Sequence, residues 1–301
     1  MLIKYNHYNR YNSYKNYMSS INDFSGYQPT WCPGCGNWGI GSAVKTALVQ
    51  LNLDPSSVAM VFGIGCSGNM NDFINTYGFH SLHGRAVPTA AGIKLANHKL
   101  PVIVVVGDGD CYGEGGNHFI HACRGNHDIT VIVHDNRVYG LTTGQAAPTS
   151  QKGFKSKSTP DGIIEIPVNP LSLAIVSGAT FVAQAFAGNA PQMTEIIKKA
   201  VEHEGFSVVN VIQPCVTFNK VNTYQYYLQR IYQIDKKHDV ANQEEALKRA
   251  LEVNQERFPL GIIYEQEKPA YHNQIPQLGS GKSLVEKDYF DNLSLLLKDF
   301  L

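Results

Sequence analysis

The sequence has no surplus of charge of either sign: across 301 residues, 25 basic side chains balance 25 acidic ones. That removes the long-range attraction on which general nucleic-acid and membrane-surface binders rely, and the charges are scattered rather than blocked. Neither a nucleic-acid nor a membrane partner is expected. Long apolar runs are also missing. None approaches the ~20 residues needed to span a bilayer, and the first residues lack the apolar core of a secretory signal, so a cytoplasmic location is expected. Cysteine is scarce, with six residues in the chain. Six are too few for a disulfide scaffold, and a reducing cytosol would keep them as thiols.

What is present has a clear order. The opening tract carries tyrosines at 5, 8, 11, 14 and 17 among many asparagines and almost no aliphatics. Asn is a poor helix former and no core pattern supports a helix, so residues 1–22 read as a flexible extension, with Met18 as a candidate natural start. Apolar runs follow at 58–62, 102–106, 130–133 and 207–212, each ending in glycine or polar residues. Continuous β-branched runs without polar alternation suit strands buried on both faces. Helices are expected between them at 39–51, 87–96, 116–124, 171–178 and 191–203. The alternation predicts an α/β fold: an open, mainly parallel sheet covered by helices on both faces. After residue 220 the chain turns polar and helical, with one more strand candidate at 260–264 and an apolar helix near 293–297.

Glycine and carboxylate crowd together after the second run. Gly107, Gly109, Gly113, Gly115 and Gly116 follow a buried strand and open a helix, which permits tight turns and an anion site at exposed backbone donors. Asp108 and Asp110 sit inside that glycine segment and would repel a bare phosphate. A magnesium ion with oxygen ligands resolves the conflict; an ordinary glycine turn with solvated aspartates is the other reading. Asn136 ends the next strand after one intervening helix, so Asp108 and Asn136 can reach one metal.

The cysteines allow several chemistries. Cys32 and Cys35 form a Cys-x-x-Cys, which alone fits half a zinc site, a redox dithiol or chance. A structural zinc would want a second close pair, and none exists. Iron–sulfur clusters take four thiolates from distant parts of a chain, and Cys32, Cys35, Cys66 and Cys215 fit that description. Cys111 and Cys123 read as buried thiols.

Two resemblances then become specific. Gly107-Asp108-Gly109 followed by Asn136 resembles the magnesium and diphosphate motif of thiamine-diphosphate enzymes, although Asp135 stands where many members carry a second Asn. Together with Trp31-Cys32-Pro33-Gly34-Cys35-Gly36, Gly63-Ile64-Gly65-Cys66-Ser67, Thr76-Tyr77-Gly78-Phe79-His80-Ser81-Leu82-His83-Gly84-Arg85, Tyr139-Gly140-Leu141-Thr142 and Gln213-Pro214-Cys215, it is similar to the beta subunit of 2-oxoacid:ferredoxin oxidoreductases, the group of pyruvate and 2-oxoglutarate synthases. The similarity covers about residues 23 to 265.

The resemblance implies thiamine diphosphate, Mg2+ and one 4Fe-4S cluster as cofactors. Cys32, Cys35, Cys66 and Cys215 would ligate the cluster; Asp108, Asn136 and the Val138 carbonyl would hold Mg2+. Ile64, Gly65, Cys66, Ser67 and His83 would lie along the thiamine diphosphate, Gly109 and Asp110 would contact its diphosphate end, and Gly140 with Leu141 would pack near the metal loop. His80 and Arg85 would be supporting or subunit-contact residues. Residues 23–220 would form the thiamine-diphosphate-binding domain with its cluster loop, and 221–301 a helical extension packed on it. The implied reaction is coenzyme A-dependent oxidative decarboxylation of a 2-oxoacid, with pyruvate and 2-oxoglutarate leading, to acyl-CoA and CO2 with reduction of ferredoxin. The alternative is a thiamine-dependent decarboxylase subunit without electron transfer. No catalytic residue is assigned in this chain: the activating glutamate is expected on an alpha subunit carrying the pyrimidine-binding domain, with or without gamma-type domains. Leu141 and Thr143, and Asn69 after Cys66-Ser67, give the substrate pocket neutral walls and favour broad specificity.

Overall fold

A computed structural model describes residues 19–278 and 281–287. Residues 1–18 of the expected extension and the expected helix near 293–297 lie outside the described residues. In chain order the elements are α1 (Asn37–Gln50), β1 (Ala59–Phe62), α2 (Met70–Phe73), β2 (Tyr77–His80), α3 (Ala86–Ala96), β3 (Val102–Gly107), α4 (Gly116–Gly125), β4 (Thr130–Asp135), β5 (Val138–Tyr139), β6 (Gln145–Ala146), α5 (Pro170–Val176), β7 (Phe181–Phe186), α6 (Ala190–Glu202), β8 (Ser207–Ile212), α7 (Tyr224–Leu228), β9 (Ile231–Gln233), α8 (Gln243–Leu251) and β10 (Phe258–Glu265). Among the described residues no helix is long and apolar enough to cross a membrane.

Eight strands form one sheet in the order β2-β1-β3-β4-β8-β7-β10-β9, and β5 and β6 form a separate small hairpin. From β2 to β7 every pairing is parallel; β10 runs antiparallel to β7 and carries β9 alongside it. The apolar runs behave as two-sided strands should. In β3, Ile103 and Val105 enter the layer built with Ile40, Val44 and Leu48 of α1 and Met193 and Ile197 of α6. Val104 and Val106 enter the opposite layer, with Ala86 and Ala90 of α3, Phe119 and Ala122 of α4, and Leu171 and Ile175 of α5. Burial of each such side chain contributes about 1.5–3 kcal/mol relative to exposure.

Local signals set the helix starts. Asn169 accepts the Ser172 N–H at 3.1 Å, with Pro170 opening α5, and Asn242 accepts the N–H groups of Glu244 and Glu245 at the start of α8; both are ordinary N-caps. Five strands escaped the sequence reading: β2, β7 and the two- or three-residue β5, β6 and β9. β7 holds Gln184 in mid-strand, whose amide donates to the Pro259 carbonyl at 2.9 Å, so a polar residue interrupts the apolar run. β2 is a sheet edge with all four residues exposed, so its composition carries no burial signal. After residue 220 the strand expected at 260–264 is present as β10, which pairs with β7, and the unexpected β9 joins it, so this segment completes the main sheet as well as adding helices.

Candidate functional site

Because β1, β3, β4 and β8 are consecutive parallel neighbours, their carboxyl ends open on one side, where such sheets form a ligand crevice. A cavity of about 380 Å³ lies there. The loop after β1 lines it with Ile64, Gly65, Cys66 and Ser67; the turn after β3 brings Asp108, Gly109 and Asp110; the loop after β4 adds Asn136, Val138, Gly140 and Leu141; and His83 reaches in from beyond β2. Every residue expected along the cofactor or at the magnesium ion therefore meets in one cavity.

Close packing explains two of its glycines. A Cβ on Gly63 would stand 2.0 Å from Asp110 Oδ2, and one on Gly109 would stand 2.3 Å from the Tyr139 ring. The backbone after β3 closes as a wide turn, in which the Gly115 N–H reaches the Asp110 carbonyl at 2.8 Å, and only then begins α4. The glycine segment thus presents its carboxyls to the cavity before the helix starts.

The electrostatics are those of a site short of a cation. Asp108 is 1% exposed. Its Oδ2 accepts the Arg137 backbone N–H at 3.1 Å and the Thr149 hydroxyl. Burial, and then the neighbouring Asp135 carboxylate, push its pKa well above the usual carboxylate range. Asp110 is pushed up to about 6 by burial, against the pull of its Gly84 N–H contact at 2.8 Å; its Oδ2 is buried with no hydrogen-bond partner. The Asn136 side-chain oxygen accepts the Val138 N–H at 2.9 Å, which folds the loop so that Asn136 and Val138 share the cavity wall with Asp108. Carboxylate, amide and carbonyl oxygens are the donor set of a hard divalent cation, so these residues fit Mg2+.

The cysteines gather beside this cavity. The Cys35 N–H bonds the Cys32 carbonyl at 3.0 Å, making a tight turn, and the Gly36 N–H ties that turn to Pro214 at 3.4 Å. Trp31 Nε1 donates to the Cys66 carbonyl at 2.7 Å and Trp38 Nε1 to the Cys32 carbonyl at 3.2 Å. A Cβ on Gly140 would stand 3.5 Å from Cys66 Sγ and 3.8 Å from Cys215 Sγ. Burial pushes the Cys66 thiol up to about 11, and Cys35, Cys215 and Cys32 each add to the rise. Burial raises Cys35 as well, with further contributions from Cys215 and Cys32. Four cysteines brought together from three loops, with no disulfide among them, fit an iron–sulfur cluster. Cys111 and Cys123 lie apart from them in the apolar layer under α3 and α4.

Several residues around the cavity gave no signal in the sequence. Thr149 holds Asp108 from a loop with no motif. Glu114, one turn beyond Asp110, pairs with His83 Nδ1 at 2.7 Å. His134, buried in β4, lines the cavity with its pKa pushed down to about 3 by burial. Tyr139 donates to the Gly109 carbonyl at 3.3 Å. His80 faces the Gly63 carbonyl at 3.0 Å and so props the first loop, while Arg85 contacts His118. Asn69 caps α2 outside the cavity lining, and of the two hairpin positions Leu141 lines it but Thr143 does not.

Comparison with known proteins agrees with this geometry. Residues 56–211 match the family described as thiamine pyrophosphate enzyme, C-terminal TPP binding domain, and residues 215–280 match the C-terminal part of the pyruvate ferredoxin oxidoreductase beta subunit. The chain is 45% identical over 284 residues to a 2-oxoacid:ferredoxin oxidoreductase subunit beta from Sulfolobus sp, covering 86% of this chain and 91% of that one. It is 48% identical over 257 residues to the protein of the same description from Saccharolobus solfataricus, with 81% and 84% covered. Among solved structures, it resembles a chain of the 2-oxoglutarate:ferredoxin oxidoreductase from Magnetococcus marinus, determined with 2-oxoglutarate, coenzyme A and succinyl-CoA bound. The TM-score is 0.87 and the identity 36%, over 95% of this chain and 97% of that one.

Proposed function

The chain belongs to the beta subunits of the 2-oxoacid:ferredoxin oxidoreductases, and from that premise we propose that, with its partner subunit, it performs coenzyme A-dependent oxidative decarboxylation of a 2-oxoacid with reduction of ferredoxin. Its own share is to hold thiamine diphosphate through Mg2+ on Asp108, Asn136 and the Val138 carbonyl, and one 4Fe-4S cluster on Cys32, Cys35, Cys66 and Cys215. All seven of these residues fall within 23–220, which we take as the cofactor-binding domain, with the later segment packed on it. Bound thiamine diphosphate supplies a carbanion nucleophile and an electron sink, and the cluster supplies single-electron transfer.

The chain's residues have distinct tasks in this reading. Asp108 brings a buried negative charge that a divalent ion neutralises, and Thr149 and the Arg137 N–H fix its orientation. Gly109 and Asp110 face the diphosphate end; Ile64, Gly65, Ser67 and His83 line the path of the cofactor. Gly140 and Leu141 pack beside the metal loop. The observation that carries the proposal is the double position of Cys66, which lines the cavity and also stands among the other three cysteines. One loop thus serves both cofactors, which keeps the electron's path short.

The cavity mouth needs a cover. Leu141 lines the cavity and is 52% exposed, and Leu82, next in sequence to the lining residue His83, is 75% exposed; we place the alpha subunit there, bringing the activating glutamate and contacts for substrate and coenzyme A. The neutral rim residue Leu141 supports acceptance of more than one 2-oxoacid. Anaerobic purification of the chain with its partner, followed by iron and sulfide analysis, paramagnetic resonance and turnover of 2-oxoacids with ferredoxin, tests the whole. A preparation with zinc, or with magnesium and no iron, overturns the cluster half.

A further inference from the structure

Between the cavity and the cysteines lies a small buried polar network. Gln213 is fully buried, and Asn37 and His134 are each 1% exposed. Gln213 Nε2 points at Cys35 Sγ at 3.5 Å, and His134 Nδ1 stands 2.8 Å from the Asn37 side-chain oxygen as placed. Three atoms of the network are buried without a partner: Gln213 Oε1, His134 Nε2 and Asn37 Nδ2. Buried polar groups are otherwise satisfied as a rule, so three such atoms on three adjacent side chains require an explanation.

The sulfur supplies it. A thiol offers a weak donor, whereas a sulfur bound to iron has no proton and can only accept. With an acceptor at Cys35, the Gln213 amide turns its N–H towards the sulfur and its Oε1 away from it, on the side of the His134 ring. Oε1 then needs a donor, which places the His134 proton on Nε2. Nδ1 becomes the acceptor, and the Asn37 amide turns its Nδ2 to it, an assignment that coordinates alone do not distinguish from its flip. One choice at Cys35 orients all three side chains, and the Asn37 flip leaves its oxygen in the position where Nδ2 had no partner.

We infer that Gln213 is a positioning residue for the iron–sulfur centre: it donates an N–H···S hydrogen bond to Cys35, is held in that orientation by His134 and Asn37, and thereby raises the centre's reduction potential. Hydrogen bonds to cluster sulfurs favour the more negative, reduced state. His134 also lines the thiamine cavity, so the network joins the two cofactor sites through side chains alone. The inference rests on Cys35 being a cluster ligand.

The test uses the assembled holoenzyme. Gln213→Met keeps the side-chain length and removes the donor. Its expected effect is a tenfold lower reduced-to-oxidised ratio of the cluster at fixed potential, a midpoint shift of about 59 mV for a one-electron couple, with iron content and thiamine diphosphate affinity unchanged. An unchanged midpoint in an iron-replete variant overturns the inference. Should the variant fail to assemble, wild-type enzyme labelled with 15N only at glutamine side chains decides the matter: a nitrogen hyperfine coupling to the reduced cluster supports the bond, and its absence refutes it. Absence of any cluster signal in the wild type sinks the cluster assignment instead, so the two failures are distinct.

Discussion

Replacing Asp108 by Asn changes stability and cofactor affinity in opposite directions. The carboxyl is 1% exposed and lies beside Asp135, and burial of that completeness lifts a carboxyl pKa by roughly 3 units or more. At ~1.4 kcal/mol per unit, keeping Asp108 ionised in the metal-free protein costs about 4 kcal/mol. Because its folded pKa is raised above the unfolded value, the folded state holds the proton over a pH range where the unfolded state has lost it. The metal-free protein is therefore stabilised less and less as pH rises from the ordinary carboxyl value through the raised one. Asn can accept the same Thr149 and Arg137 hydrogen bonds without a charge. Stripped of Mg2+ and assayed by denaturant unfolding of the assembled enzyme, the Asp108→Asn variant should approach wild type below about pH 4 and exceed it by up to ~4 kcal/mol near pH 8. With Mg2+ present the order reverses, because an anionic ligand is lost: calorimetric titration should show thiamine diphosphate bound at least ~100-fold more weakly, about 2.7 kcal/mol, with the cluster signal intact. Wild-type affinity in the variant, or equal destabilisation at both pH values, would refute the reasoning.

Four further outcomes follow from the same geometry. Cys66→Ser and Cys215→Ser should each lose most of the iron on anaerobic purification, and unchanged iron in both means that the ligands are elsewhere. Gly63→Ala drives a methyl to 2.0 Å from Asp110 Oδ2, an overpacking of about 1–3 kcal/mol; thiamine diphosphate affinity should drop at least ~10-fold, about 1.4 kcal/mol, and a variant that binds normally contradicts the packing argument. The chain purified without its partner should turn over no 2-oxoacid with a low-potential acceptor, and any such turnover removes the need for a glutamate from outside. In the assembled enzyme pyruvate, 2-oxobutyrate and 2-oxoglutarate should be used within ~100-fold of one another in kcat/KM; a larger preference, roughly 2.8 kcal/mol of differential transition-state binding, rules out broad specificity.

Much of this architecture could be read from the chain, and the reasons are specific. β3, β4 and, around Asn210, β8 are runs of branched residues and β1 is an apolar run, because both faces are covered, which is a strong local signal. Asp108, Asn136, Cys66 and Cys215 stand just after strands, with Cys32 and Cys35 in the loop before α1, and the cavity gathers Asp108, Asn136 and Cys66, which sequence order separates. β7 was hidden because Phe181–Phe186 holds a single β-branched residue, Val182, beside a mid-strand Gln184, whose amide donates to the Pro259 carbonyl and accepts from Asn210 Nδ2. β2 was hidden by exposure at the sheet edge. Thr149 and Glu114 acquire meaning only from what they touch, since a threonine or a glutamate in a loop has no spacing rule that announces it, and Gln213, legible as part of Gln213-Pro214-Cys215, gains its role only from its contact with Cys35.

The distribution of unsatisfied groups explains why the site has this form. Ser67 Oγ, Asp110 Oδ2, Asp135 Oδ1, His134 Nε2 and Gln213 Oε1 are all buried without partners, and all lie in β4 or in loops at the carboxyl ends of β1, β3 and β8. A core selected for stability alone would replace such groups by apolar ones, as β3 and β4 do along their middles. Local rules are broken where function demands it. Here the broken rules are of two kinds kept apart by one residue: oxygen donors with surplus negative charge on the cavity side of Cys66, and thiols with one amide donor on the other. A cation suits the first and a sulfur-accepting metal cluster the second, and neither set of donors would serve the other's ligand. Cys66 therefore marks the boundary between a hard and a soft set of donors, and in the proposed function its loop is the one that serves both cofactors.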